Sequence, residues 1–122
     1  MKIKYYRPAQ KKEKEALEAF NTAISINPAI AGPYINVGNI FRGKRNWEEA
    51  ISKYNIALQM DPKSAGIYCN KAIILHEQGK LPEAVKSFNK ALEIDYKFAE
   101  VWNNLVFPLQ ALKIQIAADE AL

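Results

Sequence analysis

The sequence predicts an all-α fold of stacked helix pairs, because the chain repeats itself at a fixed interval and each copy has helical periodicity. Residues 31–64 align with residues 65–98 at an offset of 34. The identities include Ala31/Ala65, Tyr34/Tyr68, Asn36/Asn70, Ala50/Ala84, Ala57/Ala91, Leu58/Leu92 and Asp61/Asp95. A constant period of this size is typical of supersecondary units that stack on one another.

Each copy reads as two amphipathic helices joined by a tight turn. Apolar or small residues recur at helical spacing in both halves of residues 31–64, namely Tyr34, Val37, Gly38 and Phe41, then Ala50, Tyr54, Ala57 and Leu58. The segments Gly43 to Asn46 and Gly79-Lys80 suit the turns. Pro28 and Pro62 predict the preceding helix ends, since a residue before proline avoids the α conformation.

Composition restricts the class of protein. The chain has 122 residues, of which 49% are apolar, enough for one globular domain. No apolar run approaches the roughly 20 residues of a membrane helix, so we expect no membrane insertion. A single cysteine, Cys69, and a single histidine, His76, exclude an internal disulfide and most metal sites. We therefore expect a cytoplasmic protein without a cofactor.

The net charge of +4 is concentrated at the N-terminus. Six of the 17 basic residues lie in residues 1–14, which contain one acidic residue, Glu13. We define residues 1–8 as a basic N-terminal segment. Such a segment attracts phosphates or acidic partners, but it is also the composition of a solvated terminus. Because no interleaving of arginine and aromatic residues of the kind that stacks bases follows this segment, nucleic-acid binding is disfavoured.

The repeated residues resemble the tetratricopeptide repeat (TPR) family, whose pattern is W-x2-L-G-x2-Y…A-x3-F…A…P at a period of 34. One full repeat covers residues 31–64, with Tyr34, Val37, Gly38, Phe41, Ala50, Tyr54, Ala57 and Pro62 at these positions. A second covers residues 65–98, where Lys71 replaces the leucine and Tyr96 the proline. Partial copies flank both, with Ala16, Phe20, Ala23 and Pro28 before them and Trp102, Leu105, Val106 and Leu109 after them.

The resemblance implies a right-handed α-solenoid of antiparallel helix pairs over residues 9–122. The second helix of the first repeat would occupy residues 9–30, and a partial fourth repeat residues 99–122. Pro108 lies inside that last segment, where it should kink or stop a helix. We expect either one kinked capping helix or a helical hairpin there.

The resemblance also implies an inner groove lined by the first helix of each repeat. Asn36, Asn70 and Asn104 share one position of that helix, and such a ladder of amides could hydrogen-bond the backbone of an extended peptide. Asparagine is also simply common at this position. The same surface would include Ile35, Asn39, Arg42, Ile73, His76 and Phe107. The clamp by which some TPR proteins hold a chaperone's C-terminal carboxylate is disfavoured, because Ile35, Glu100 and Asn104 replace its basic residues.

We find no catalytic constellation and expect no enzyme. Cys69 and His76 are seven residues apart on one helix, about 10.5 Å along its axis, well beyond hydrogen-bond reach. The leading hypothesis is thus a non-catalytic scaffold for a protein or peptide partner. The alternatives are a targeting fragment of a larger enzyme, or a module that self-associates, for example as a homodimer, through uncapped ends. The residues proposed for that contact are Leu17, Phe20, Ile24, Leu109, Leu112 and Ile116.

Overall fold

The structure, a computed structural model, describes residues 8–120, so nearly all of the basic N-terminal segment lies outside the described residues. Within this range the chain forms six α-helices and no strand. They are α1 (Pro8–Ile26), α2 (Ala31–Gly43), α3 (Trp47–Met60), α4 (Ala65–Glu77), α5 (Leu81–Ile94) and α6 (Ala99–Glu120). The prediction of an all-α helical-repeat solenoid is confirmed.

Two antiparallel hairpins, α2–α3 and α4–α5, form the centre of the molecule, with α1 packed on α2 and α6 packed on α5 and α4. Their turns have the same conformation. Arg45 and Gly79, one period apart, both have positive φ, 62° and 78° respectively. The following N–H groups of Asn46 and Lys80 donate to the carbonyls of Phe41 and Leu75, each at 2.9 Å. These bonds satisfy carbonyl groups that the ends of α2 and α4 leave unpaired.

The first core cluster belongs to the α2–α3 hairpin and its contact with α4. Ala50, Tyr54 and Ala57 of α3 are fully buried there against Ile67 and Ile74 of α4. Gly38 of α2 permits this packing, since a Cβ at this position would lie 2.7 Å from Cε1 of Tyr54. The small residues of the repeat therefore set how closely the two helices of a pair approach.

The second core cluster joins α4, α5 and α6. Its buried members include Ala72, Ala84, Phe88, Ala91, Val101 and Leu105. Ile51 of α3 packs against this cluster as well as the first one. The core is thus two adjoining clusters, each centred on one hairpin.

The C-terminal segment is a single helix as far as Glu120. Pro108 lies inside α6 and its side chain is buried. A proline in this place removes one helical hydrogen bond, yet the helix continues for twelve residues beyond it. Among residues 8–120 no helix is long and apolar enough to cross a membrane.

Candidate functional site

The three equivalent asparagines lie on α2, α4 and α6, the helices in the first-helix position of successive repeats. Asn36 is exposed, whereas Asn70 and Asn104 are half-buried. The three amides therefore differ in what they still offer to a ligand, because neighbouring side chains engage two of them.

Arg42 joins the first two helices of this surface. Its Nη1 donates a hydrogen bond of 3.3 Å to Oδ1 of Asn70, which links α2 to α4. The bond occupies the amide oxygen and leaves the amide N–H groups of Asn70 as donors. Two residues predicted for the groove are thus in direct contact.

Cys69 and Asn104 make the equivalent link between α4 and α6. The Cys69 side chain is buried, and the Asn104 side chain lies beside it. Burial raises the pKa of the Cys69 thiol to about 11 and the Glu100 carboxylate adds to the effect, while the Asn104 side chain and Arg42 oppose it. A thiol with a raised pKa lacks the thiolate character of a reactive cysteine.

Asn39, predicted to extend the ladder, is engaged inside the α2–α3 hairpin. Its Oδ1 accepts a hydrogen bond from the hydroxyl of Tyr54, a side chain with no exposed surface. Burial raises the pKa of that hydroxyl, and Arg42 lowers it. Sequence reasoning missed this pairing, since it treated Tyr54 as a packing residue only.

The apolar residues predicted for the groove divide into two kinds. Ile35 and Ile73 are half-buried and pack against the first and second core clusters respectively. Phe107 of α6 is 66% exposed. His76 is half-buried on α4. Phe107 is therefore the apolar side chain of this set that has the most surface to offer a ligand.

A surface cavity lies elsewhere on the described chain. It measures about 840 Å³ and is lined by α4 and α5, including Tyr68, Lys71, Leu75, Val85, Lys86 and Ser87. None of the residues predicted to bind a ligand lines it. Lys71 stands at the leucine position of the repeat, and its Nζ donates to Oδ1 of Asn55 on α3 at 3.0 Å. Lys71, the side chain that departs from the repeat pattern, lines this cavity. That departure was the one signal in the sequence that could have pointed to the cavity.

The residues predicted for self-association lie on the first and last helices. Leu17, Phe20 and Ile24 of α1 are half-buried. On α6, Leu109 and Ile116 are exposed and Leu112 is half-buried. Residues 8–120 contain no group of three or more His, Cys, Asp or Glu side chains placed to hold a metal ion.

Paired helices stacked at a constant period define a helical-repeat protein. The profile described as "TPR repeat" matches residues 38–79, and the profile described as "Tetratricopeptide repeat" matches residues 65–95. The chain is a tetratricopeptide repeat protein. No curated protein sequence matches it significantly.

Solved TPR structures resemble this fold closely. The first TPR of Spaghetti (RPAP3), bound to the HSP90 peptide SRMEEVD, has a TM-score of 0.78 and 23% identity, covering 86% of this chain and 83% of that one. The chaperone SycD of Yersinia enterocolitica, in complex with a peptide of the translocator YopD, has a TM-score of 0.76 and 21% identity, with coverages of 88% and 84%. At these identities the likeness shows the fold alone.

A third similar structure is YrrB, described as a TPR protein with an unusual peptide-binding site. It is 30% identical with a TM-score of 0.74, and the match covers 80% of this chain and 50% of YrrB. The present chain thus spans about half the length of that relative.

Proposed function

We propose that the protein is a non-catalytic scaffold that binds an extended peptide along α2, α4 and α6. The observation that carries the proposal is the set of equivalent amides on these helices, which could pair with a peptide backbone at repeated intervals. Asn36 is exposed, and Asn70 engages Arg42 through its oxygen only. Their N–H groups would donate to peptide carbonyls.

The contacts within the surface support a preorganised site. The Arg42–Asn70 hydrogen bond links α2 to α4, and the Asn104 side chain beside Cys69 places α6 next to α4. Fixing these side chains before a ligand arrives lowers the entropy that binding must overcome. Phe107, at the α6 end, would contact an apolar side chain of the peptide.

The chemistry of the surface also restricts the peptide. Glu100 lies close enough to raise the pKa of Cys69, so a terminal carboxylate placed near it would be repelled. We therefore propose a peptide held by its backbone and by apolar side chains rather than by its C-terminal carboxylate. The peptide complexes of Spaghetti and SycD support the general use of this fold for peptides.

The test begins with peptides selected on the wild-type chain from a random display library. Their affinity is measured by fluorescence anisotropy for the wild type and for a variant with Asn36→Ala, Asn70→Ala and Asn104→Ala. We expect the triple variant to lose at least tenfold in affinity while keeping its helical circular dichroism. The matched control is Asn89→Ala, which removes an exposed amide from α5. An unchanged affinity in the triple variant would refute the amide ladder.

Three further parts of the hypothesis stay predictions. They are the cytoplasmic location, the disfavoured binding of nucleic acid, and the alternative role as a targeting fragment of a larger enzyme.

A further inference from the structure

Helix α6 leaves exposed a row of residues whose equivalents in α2 and α4 pack against a second helix. Trp102, Val106 and Leu109 are 44%, 46% and 45% exposed. They occupy the repeat positions of Tyr34, Gly38 and Phe41 in α2 and of Tyr68, Ala72 and Leu75 in α4. In α2 and α4 this row faces the second helix of the hairpin, and Gly38, Ala72 and Leu75 are buried. The α6 row therefore has the position of a hairpin interface that lacks its second helix within the described residues.

Helix α1 carries the residues that such an interface takes. Ala16, Phe20 and Ala23 lie one period before Ala50, Tyr54 and Ala57, the fully buried face of α3. The α5 helix has the same face in Ala84, Phe88 and Ala91. In α1 all three residues are only half-buried. This face of α1 is thus a second-helix surface that is incompletely covered.

We propose that α1 of a second copy of this chain packs antiparallel against the Trp102–Val106–Leu109 row of α6, forming a composite repeat. One copy supplies its first helix and the other its second helix. Within one chain α1 packs on α2 whereas α6 packs on α5 and α4, so the two faces lie at opposite ends of the array. The contact is heterologous and joins copies head to tail. It goes beyond peptide binding and does not depend on it.

The lengths of the two helices match such a pair. Helix α1 has 19 residues, against 14 in α3 and α5, and the extra residues, 8–12, precede the usual start. Helix α6 has 22 residues, against 13 in α2 and α4, and the extra residues, 112–120, follow the usual end. In an antiparallel pair the start of one helix lies beside the end of the other. The two extensions would therefore lie side by side.

The charges of these extensions are complementary. The start of α1 contributes Lys11 and Lys12, and the end of α6 contributes Asp119 and Glu120. Lys113 is the single basic residue of the α6 extension. Opposite charges at the rim favour the antiparallel orientation and speed association. A parallel arrangement would instead place the acidic end of α6 away from these lysines.

One difference between the composite and the internal hairpins concerns the spacing of the helices. Val106 stands where α2 has Gly38 and α4 has Ala72. Since the separation of packed helices varies with the side chains at the contact, the composite pair should be wider than the α2–α3 pair. This difference would allow copies to separate while the internal hairpins stay intact.

The first experiment compares adjacent exposed residues of α6. We expect the mass of the wild-type chain in light scattering to rise with concentration. Val106→Glu places charge on the proposed contact row and should yield a monomer. Phe107→Glu is the matched control, because residue 107 is also exposed to solvent, at 66% against 46% for Val106, but points about 100° away around the helix. It should associate as the wild type does, although it would weaken peptide binding if the proposed peptide site is correct.

The second experiment tests the head-to-tail geometry. Ala16→Glu blocks the α1 face and leaves α6 intact, whereas Val106→Glu blocks α6 and leaves α1 intact. Each variant alone should be monomeric, and an equimolar mixture should form a 1:1 dimer through the two unblocked faces. Circular dichroism melts of both variants establish that they are folded.

Several outcomes would overturn the proposal. A wild type that is monomeric at every concentration would do so. Association that survives Val106→Glu, or that Phe107→Glu abolishes equally, would show that the contact lies elsewhere. A mixture that stays monomeric would exclude the head-to-tail pairing.

Discussion

The hydroxyl of Tyr54 donates a hydrogen bond to Oδ1 of Asn39, so a fully buried phenol on α3 depends on an amide of α2 for its polar partner. Burying a polar group without a partner costs free energy, whereas the bond itself contributes less. Asn39 is therefore a structural residue of the hairpin, whatever its N–H groups do at the surface.

Asn39→Ala should lower the free energy of unfolding by about 1–3 kcal/mol, because it leaves the Tyr54 hydroxyl unpaired. Asn36→Ala, on the same helix but exposed, should change stability by less than about 0.5 kcal/mol. Urea unfolding followed by circular dichroism measures both. Equal effects of the two substitutions would mean that Tyr54 finds another partner.

Gly38→Ala should destabilise the chain by about 1–3 kcal/mol, since the added Cβ would lie 2.7 Å from the ring of Tyr54. Gly32→Ala is the matched control in the same helix, because a Cβ there meets nothing within 4 Å. It should be neutral or stabilise by up to about 1 kcal/mol, as alanine favours helix more than glycine does. Thermal melts would contradict the close-approach argument if Gly38→Ala raised the melting temperature.

Lys71→Leu should stabilise the chain by about 1 kcal/mol through apolar burial. The equivalent residues Val37 and Leu105 are 1% and 3% exposed, whereas the Lys71 side chain reaches out to Asn55 beside the cavity of about 840 Å³. Lys86→Leu alters an exposed lysine of the same cavity and should give no such gain. Urea midpoints that move equally in the two variants would show that the leucine does not fill the repeat position.

Stability should fall as the pH rises from about 9 towards 11 because of Cys69. The folded thiol has its pKa raised to about 11 from an ordinary value of 9.0, so over this interval the unfolded chain ionises first. Below pH 9 the contribution of Cys69 to the free energy of unfolding is fully present, and it is lost as the pH approaches the pKa of the thiol in the folded chain. Cys69→Ala removes the ionisable group, so the difference between its unfolding free energy and that of the wild type isolates the effect. Parallel pH profiles would contradict the raised pKa.

The helices were predictable from sequence where local rules decide them. Helices α1 and α3 end at Ile26 and Met60, shortly before Pro28 and Pro62. The turn after α2 was also predicted, at Gly43 to Asn46, although the residue with positive φ is Arg45 rather than a glycine. The positive φ at residue 45 could be inferred only from the alignment of Arg45 with Gly79, because arginine itself does not favour this conformation.

Side-chain contacts between helices were not predictable in the same way. The Tyr54–Asn39 and Arg42–Asn70 hydrogen bonds depend on distances across a hairpin and between repeats, which a periodic pattern does not specify. The continuation of α6 past Pro108 depends on packing, since local propensity disfavours it. The ligand-binding role of the asparagines stays a prediction, because the fold alone does not fix function.

Ile51 touches both core clusters, and this gives one side chain a role in cooperativity. An array of repeats unfolds as a row of units whose all-or-none behaviour depends on the coupling between neighbours. Because α3 and α4 share less contact than the helices of either hairpin, that coupling is concentrated in few side chains. Whether the two hairpins melt together or one after the other is therefore decided between the repeats rather than within them, where Ile51 of α3 and the buried Ile67 and Ile74 of α4 pack.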